Sequence, residues 1–79
     1  EIEVDRRGRL SIHNATLTPN MLREILRYRI SRHGYDFPIL IRADRRARHE
    51  EVRRVMDICT ECGIWKLSFL AIQEHKTKN

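Results

Sequence analysis

Apolar and charged residues alternate over residues 2–5 and again over residues 10–13. Period-two alternation is the mark of a half-buried strand. Asp5-Arg6-Arg7-Gly8 lies between the two runs. Glycine accepts the positive φ of a tight connection, so the pair reads as a β-hairpin with Ile2, Val4, Leu10 and Ile12 on its buried face. Thr18-Pro19 then opens a helix: threonine caps free N–H groups, and proline fits a first turn that needs no donor. Leu22, Ile25, Leu26 and Ile30 recur at helical spacing, and Gly34 supplies the stop. Residues 37–43 form an almost wholly apolar run whose length and β-branched content predict a central strand. Pro38, which lacks a ladder donor, belongs at its start. Residues 44–48 are a polar connection. A second helix follows from about His49, with Val52, Val55, Met56, Cys59 and Cys62 in one stripe and Gly63 as its end. Residues 65–72 alternate again, with Trp65, Leu67, Phe69 and Ala71 on one face.

The predicted order is β-β-α-β-α-β. Right-handed strand–helix–strand crossovers place both helices on one side of the sheet. The expected fold is α+β: a two-layer α/β sandwich with both helices on one face of a four-stranded mixed sheet. It forms one domain over residues 1–72, followed by a polar, flexible tail at 73–79. A chain of 79 residues buries only ~60–65% of the surface its unfolded form exposes. Two layers are within reach; a deep enclosed active site is not. The longest uncharged apolar run, residues 37–41, is far short of a membrane span. The chain opens Glu-Ile-Glu-Val, with neither an initiator Met nor a signal sequence, and is expected to be excised from a longer protein.

Charge adds a partner question. The net charge is +5, and thirteen of the sixteen basic residues are Arg. The densest cluster is Arg42, Arg45, Arg46, Arg48, Arg53 and Arg54. It is either a solvated face or a patch for an anionic partner such as lipid head groups, a peptidoglycan carboxylate or an acidic protein strip, since Arg pairs bidentately with carboxylates. Asp44, at the end of the central strand, suits a turn or helix cap, as Thr18 and Gly63 suit caps. Trp65 reads as core or dimer interface, and Trp65, Leu67 and Phe69 as a dimer or partner-strand interface.

Cys59 and Cys62 leave three readings. They are small apolar residues of the helix face, or a redox or disulfide pair, or, with His75, an incomplete zinc half-site. The position at a helix end argues against thioredoxin-type chemistry. The other histidines, His13, His33 and His49, are scattered. Ser11, Ser31 and Ser68 have no elbow turn around them, and Gly8, Gly34 and Gly63 form no phosphate-binding loop. No enzyme activity, metal or cofactor is expected.

The ordered set of motifs resembles the ExbD/TolR family of biopolymer transport proteins. The likeness begins in the hairpin, Ile2-Glu-Val-Asp5 and Arg-Gly8-Arg-Leu10, and runs through Thr18 to Leu26. It is strongest in Pro38-Ile-Leu-Ile-Arg-Ala-Asp44, Val52-Arg-Arg-Val-Met-Asp57 and Gly63-Ile64. The resemblance implies the periplasmic domain of a single-pass bacterial inner-membrane protein. It further implies a homodimer working with an ExbB/TolQ-like membrane protein, coupled to the proton-motive force, that passes force to a TonB- or TolA-like protein or anchors to peptidoglycan. The alternative, raised by charge alone, is a small nucleic-acid-binding α/β module. It lacks a Gly-x-x-Gly loop and an aromatic-rich strand, so no nucleic acid is expected as partner.

Overall fold

A computed structural model describes residues 1–72. The tail at 73–79, and with it His75, lies outside the described residues. The chain forms β1 (Ile2–Val4), β2 (Leu10–Ile12), β3 (Ala15–Leu17), α1 (Pro19–His33), β4 (Ile39–Asp44), α2 (His49–Glu61) and β5 (Leu67–Ile72). The sheet has five strands in the order β3-β2-β1-β4-β5.

This corrects the expected four-stranded sheet and its β-β-α-β-α-β order. The extra strand is β3, which pairs antiparallel with β2 from Leu10↔Leu17 to Ile12↔Ala15. His13 and Asn14 make the connection, with φ of 51° and 67°. Two consecutive left-handed residues give the twist that a two-residue hairpin needs. The chain therefore reverses at once instead of crossing to the helix as a loop.

The first hairpin forms as expected. The Gly8 N–H donates to Asp5 O (2.9 Å), and the Asp5 N–H donates to Arg9 O (3.0 Å). The Asp5 carboxylate also accepts the N–H groups of Arg7 and Arg9. Gly8 has φ +83°, and the side chain of Glu51 packs directly against it. The hairpin tip is thereby seated on the first turn of α2.

β1 runs parallel to β4 (Ile2↔Ile41) and β4 parallel to β5 (Ile39↔Leu67 to Asp44↔Ile72). One face of the sheet presents Ile2, Val4, Leu10, Leu17, Ile39, Ile41 and Ala43, all buried against Leu22 and Leu26 of α1 and Val52, Val55, Ile58 and Cys59 of α2. Both helices thus cover this face. The opposite face carries Glu3, Ser11, Arg42 and Leu70 and has no helix over it.

Local signals set the helix ends. Thr18 accepts the Met21 N–H (3.1 Å), and Gly34, at φ 77°, returns its N–H to Ile30 O (2.7 Å). In α2 the Glu51 carboxylate accepts the Arg48 N–H (3.4 Å), and Gly63 follows the helix at φ +94°. Pro38 immediately precedes β4.

Several residues of the expected apolar faces lie outside the core, Ile25 at 39% and Phe69 at 50% exposed among them, and Trp65, read as core or dimer interface, is not in the core. Trp65 is 67% exposed, because Ile64 is the residue that anchors the α2–β5 connection in the core and β5 begins only at Leu67. Met56 sits at the rim of α2, while Ile58 takes the core position.

Candidate functional site: an open strand edge

β5 is an edge strand, and its six residues, Leu67-Ser-Phe-Leu-Ala-Ile72, carry no charge and no proline. The Ile39 N–H donates to Lys66 O and the Arg45 N–H to Ile72 O, both at 2.9 Å. Backbone groups alternate in direction along a strand, so Lys66, Ser68, Leu70 and Ile72 turn theirs toward β4. Leu67, Phe69 and Ala71 turn theirs outward, where no described residue meets them. Natural edges are ordinarily blunted by lysine, proline or a bulge; here only Lys66 stands near, at the entry to the strand.

The side chains extend this edge on both faces. Phe69 and Leu70, on opposite faces, are each half exposed. Toward the helices a groove of about 500 Å³ opens between β5 and α2, lined by Ala43, Val52, Met56, Phe69 and Ala71, with Arg45 and His49 at one end. Trp65 lies beyond the other end of the strand, with the Lys66 ammonium 5.1 Å from its ring centre. Lys66 also pairs with Asp36 at 2.6 Å. Leu67 is half-buried and contributes to the core. Of the three residues read as an interface, Leu67 and Phe69 lie on β5 and Trp65 in the connection before it.

The arginines of the dense sequence cluster are distributed over three surfaces. Arg42 is on the uncovered sheet face and pairs with Glu1 at 2.7 Å. The hydrogen bond from Arg42 holds the Glu1 carboxyl below its usual range and raises Arg42 in turn. Arg45, Arg46 and Arg48 occupy the β4–α2 loop. Arg46 donates to Asp44 through both its N–H (2.8 Å) and its guanidinium (3.1 Å), which lowers the Asp44 pKa. Asp44 thus accepts within the turn that follows β4, while the Glu51 side chain caps α2. Arg48 faces Glu50 at 3.9 Å. Arg53 and Arg54 are exposed on α2.

The cysteines are free thiols three residues apart at the end of α2. Cys59 is fully buried, and burial first, then the neighbouring Cys62, pushes its thiol up to about 11. A thiol so placed is a poor nucleophile. Among the described residues no three His, Cys, Asp or Glu side chains converge as metal ligands would.

A family model for the biopolymer transport protein ExbD/TolR matches residues 1–74. The chain belongs to the ExbD/TolR family. Membership makes it a transport-associated protein of a family that works in membrane complexes and is not enzymatic. A search of curated proteins gives no match. Among the described residues no helix is long and apolar enough to cross a membrane. For an ExbD/TolR domain, what remains to be found in the fold is a surface for partners, and the β5 edge has the open backbone groups that such a surface needs.

Proposed function

We propose that this chain is the periplasmic, force-transmitting domain of a stator subunit in the bacterial inner membrane, coupled to the proton-motive force through an ExbB/TolQ-like partner. It acts as a homodimer and hands force to a TonB- or TolA-like protein or to peptidoglycan. Family membership supports the transport role, and the observation that carries the mechanism is the uncharged outer edge of β5. Strand addition to such an edge gains main-chain hydrogen bonds, while side-chain pockets along it supply selectivity.

A two-fold pairing of β5 with its copy is constrained by which groups face outward. Leu67, Phe69 and Ala71 must meet outward-facing residues of the other strand. The self-complementary antiparallel register therefore sets Phe69 opposite Phe69 of the second copy, and Leu67 opposite Ala71. Directly opposed, hydrogen-bonded residues lie ~5.5 Å apart at Cα, within the reach of a disulfide.

The test is to introduce Leu67→Cys and Ala71→Cys together in a Cys62→Ser background and oxidise. Four residues apart on one strand, the two new thiols are too distant to join within a chain. A covalent dimer on a non-reducing gel is the expected result. A chain that stays monomeric under oxidation and in sedimentation overturns the proposed dimer and the function built on it.

A further inference from the structure

We propose that the outer face of α1 is a docking surface for an anionic lipid bilayer. Helix α1 has a buried face, Leu22, Leu26 and Ile30, packed on the sheet. It also has a second apolar strip that stays partly exposed. Met21, Ile25 and Tyr28 are 46%, 39% and 64% exposed and fall at i, i+4 and i+7. At 100° per residue that spacing sets them in one line along the helix, away from the core face.

Arg29 flanks the strip on one side and Arg32 continues it, its guanidinium 5.6 Å from the Tyr28 ring centre. Glu24 borders the other side, and Arg27 lies further round the helix. Arg29 lies 5.9 Å from the Phe37 ring centre. None of these three arginines pairs with a carboxylate among the described residues. Arg23, by contrast, faces α2, where it meets Glu61 at 3.8 Å. Glu24 is the only acidic residue of the helix.

What selects this face is basic residues beside a line of exposed apolar side chains. Arg53 and Arg54 on α2 also meet no carboxylate among the described residues but have no comparable line beside them. In the dense sequence cluster, Asp44, Glu50 and Glu1 answer Arg46, Arg48 and Arg42. On α1 the positive charge has no internal counterpart, and it borders exposed apolar side chains. That combination is the chemistry of an interfacial helix. Apolar residues enter the head-group boundary, tyrosine and arginine present an apolar body with a polar tip, and the guanidinium groups meet lipid phosphates. An acidic protein strip would meet the arginines but gives no equal use for an apolar line of Met, Ile and Tyr. The inference goes beyond the transport reading, rests on different residues, and survives that reading's failure.

Vesicles of phosphatidylcholine containing roughly a third phosphatidylglycerol are the probe, with pure phosphatidylcholine beside them. The 79-residue chain should sediment with the anionic vesicles and not the neutral ones, and elevated salt should release it. Arg29→Glu/Arg32→Glu should weaken partitioning at least about tenfold. Arg53→Glu/Arg54→Glu changes net charge equally on α2 and should weaken it far less. Circular dichroism verifies that each variant keeps its fold. In a Trp65→Phe background, Tyr28→Trp should shift its emission to the blue and be quenched by brominated lipid. Equal losses from the α1 and α2 reversals, or a tryptophan at residue 28 that stays in water, would overturn the proposal. So would a chain that ignores anionic vesicles yet binds polyglutamate through Arg29 and Arg32, which would make the face a site for acidic protein.

Discussion

The two cysteines share a helix end but not a chemistry. Cys59 is sealed beneath α2 with its thiol raised to about 11, whereas Cys62 is only half-buried. Native-state alkylation with iodoacetamide is therefore expected to stop at one label, on Cys62. Two labels at equal rates, read by mass spectrometry, would mean that the end of α2 opens readily. Linkage gives the pH window. The unfolded Cys59 thiol ionises near its ordinary value, ~8.5, and the folded one near 11. Its contribution is complete below pH ~8.5 and is lost as pH rises toward the folded value. Cys59→Ala should flatten that alkaline decline, whatever it costs at neutral pH.

The carboxylates behave in the opposite sense. Burial pushes Asp5 up, but the N–H groups and guanidinium of Arg9 and the Arg7 N–H outweigh it, and the net shift is downward. Glu1 and Asp44 are lowered by their arginine partners. Depressed folded values mean stability that is present above pH ~4 and lost as pH falls through them. Denaturation midpoints measured downward from pH 5 should fall, and Asp5→Asn should reduce the slope.

Among the elements, β3 is the one whose existence is hardest to read from residues. It is three residues long, and only Leu17 is buried. Its turn, His13-Asn14, lacks the Asn-Gly pair that announces a two-residue hairpin. The strain at these left-handed positions gives a direct test. His13→Asn/Asn14→Gly supplies residues that tolerate φ > 0 and should stabilise the protein by up to ~1 kcal/mol, seen as a higher urea midpoint. A loss of stability would mean that the turn is not of this kind.

The elements legible in sequence are those with long periodic patterns and explicit caps: Thr18-Pro19 and Gly34 bound α1, and Pro38 sits at the entry to β4. The face of α2 was legible only to within part of a turn. Val52, Val55 and Cys59 allow either Met56 or Ile58 as the next core residue, and packing chose Ile58. Of the two readings of Trp65, core or dimer interface, the first fails for a related reason: Ile64 fills the core, and Trp65 in the loop beside it points outward. Partnering of arginines was illegible altogether. Neighbours in sequence such as Arg42 and Arg45 lie on different surfaces, and Arg42 finds Glu1 forty-one residues away.

At the scale of the whole molecule, the sheet has two unequal edges. β3 is three residues long and too short to be a good template, while β5 runs for six without a charge. An uncharged apolar edge of that length invites pairing with whatever strand arrives first, and a second copy closes on itself where an open-ended association would not. A self-paired β5 would align two grooves of the Ala43–Val52–Met56 type on the helix side and bring two Phe69 rings together at the axis.

Phe69→Lys tests this without disturbing the core, because the side chain is already half exposed and a lysine on an edge is a natural guard against pairing. The parent chain is expected to show a Tm that rises with protein concentration, as linkage between folding and association requires. The variant should remain folded, sediment as a monomer and show a Tm independent of concentration. Leu70→Ser removes comparable apolar surface on the opposite face, where it leaves the outward backbone groups and the Phe69 pair intact, and should keep the dimer. If Leu70→Ser dissociates the protein while Phe69→Lys does not, copies meet through the uncovered face of the sheet, and the β5 edge is left for a partner strand.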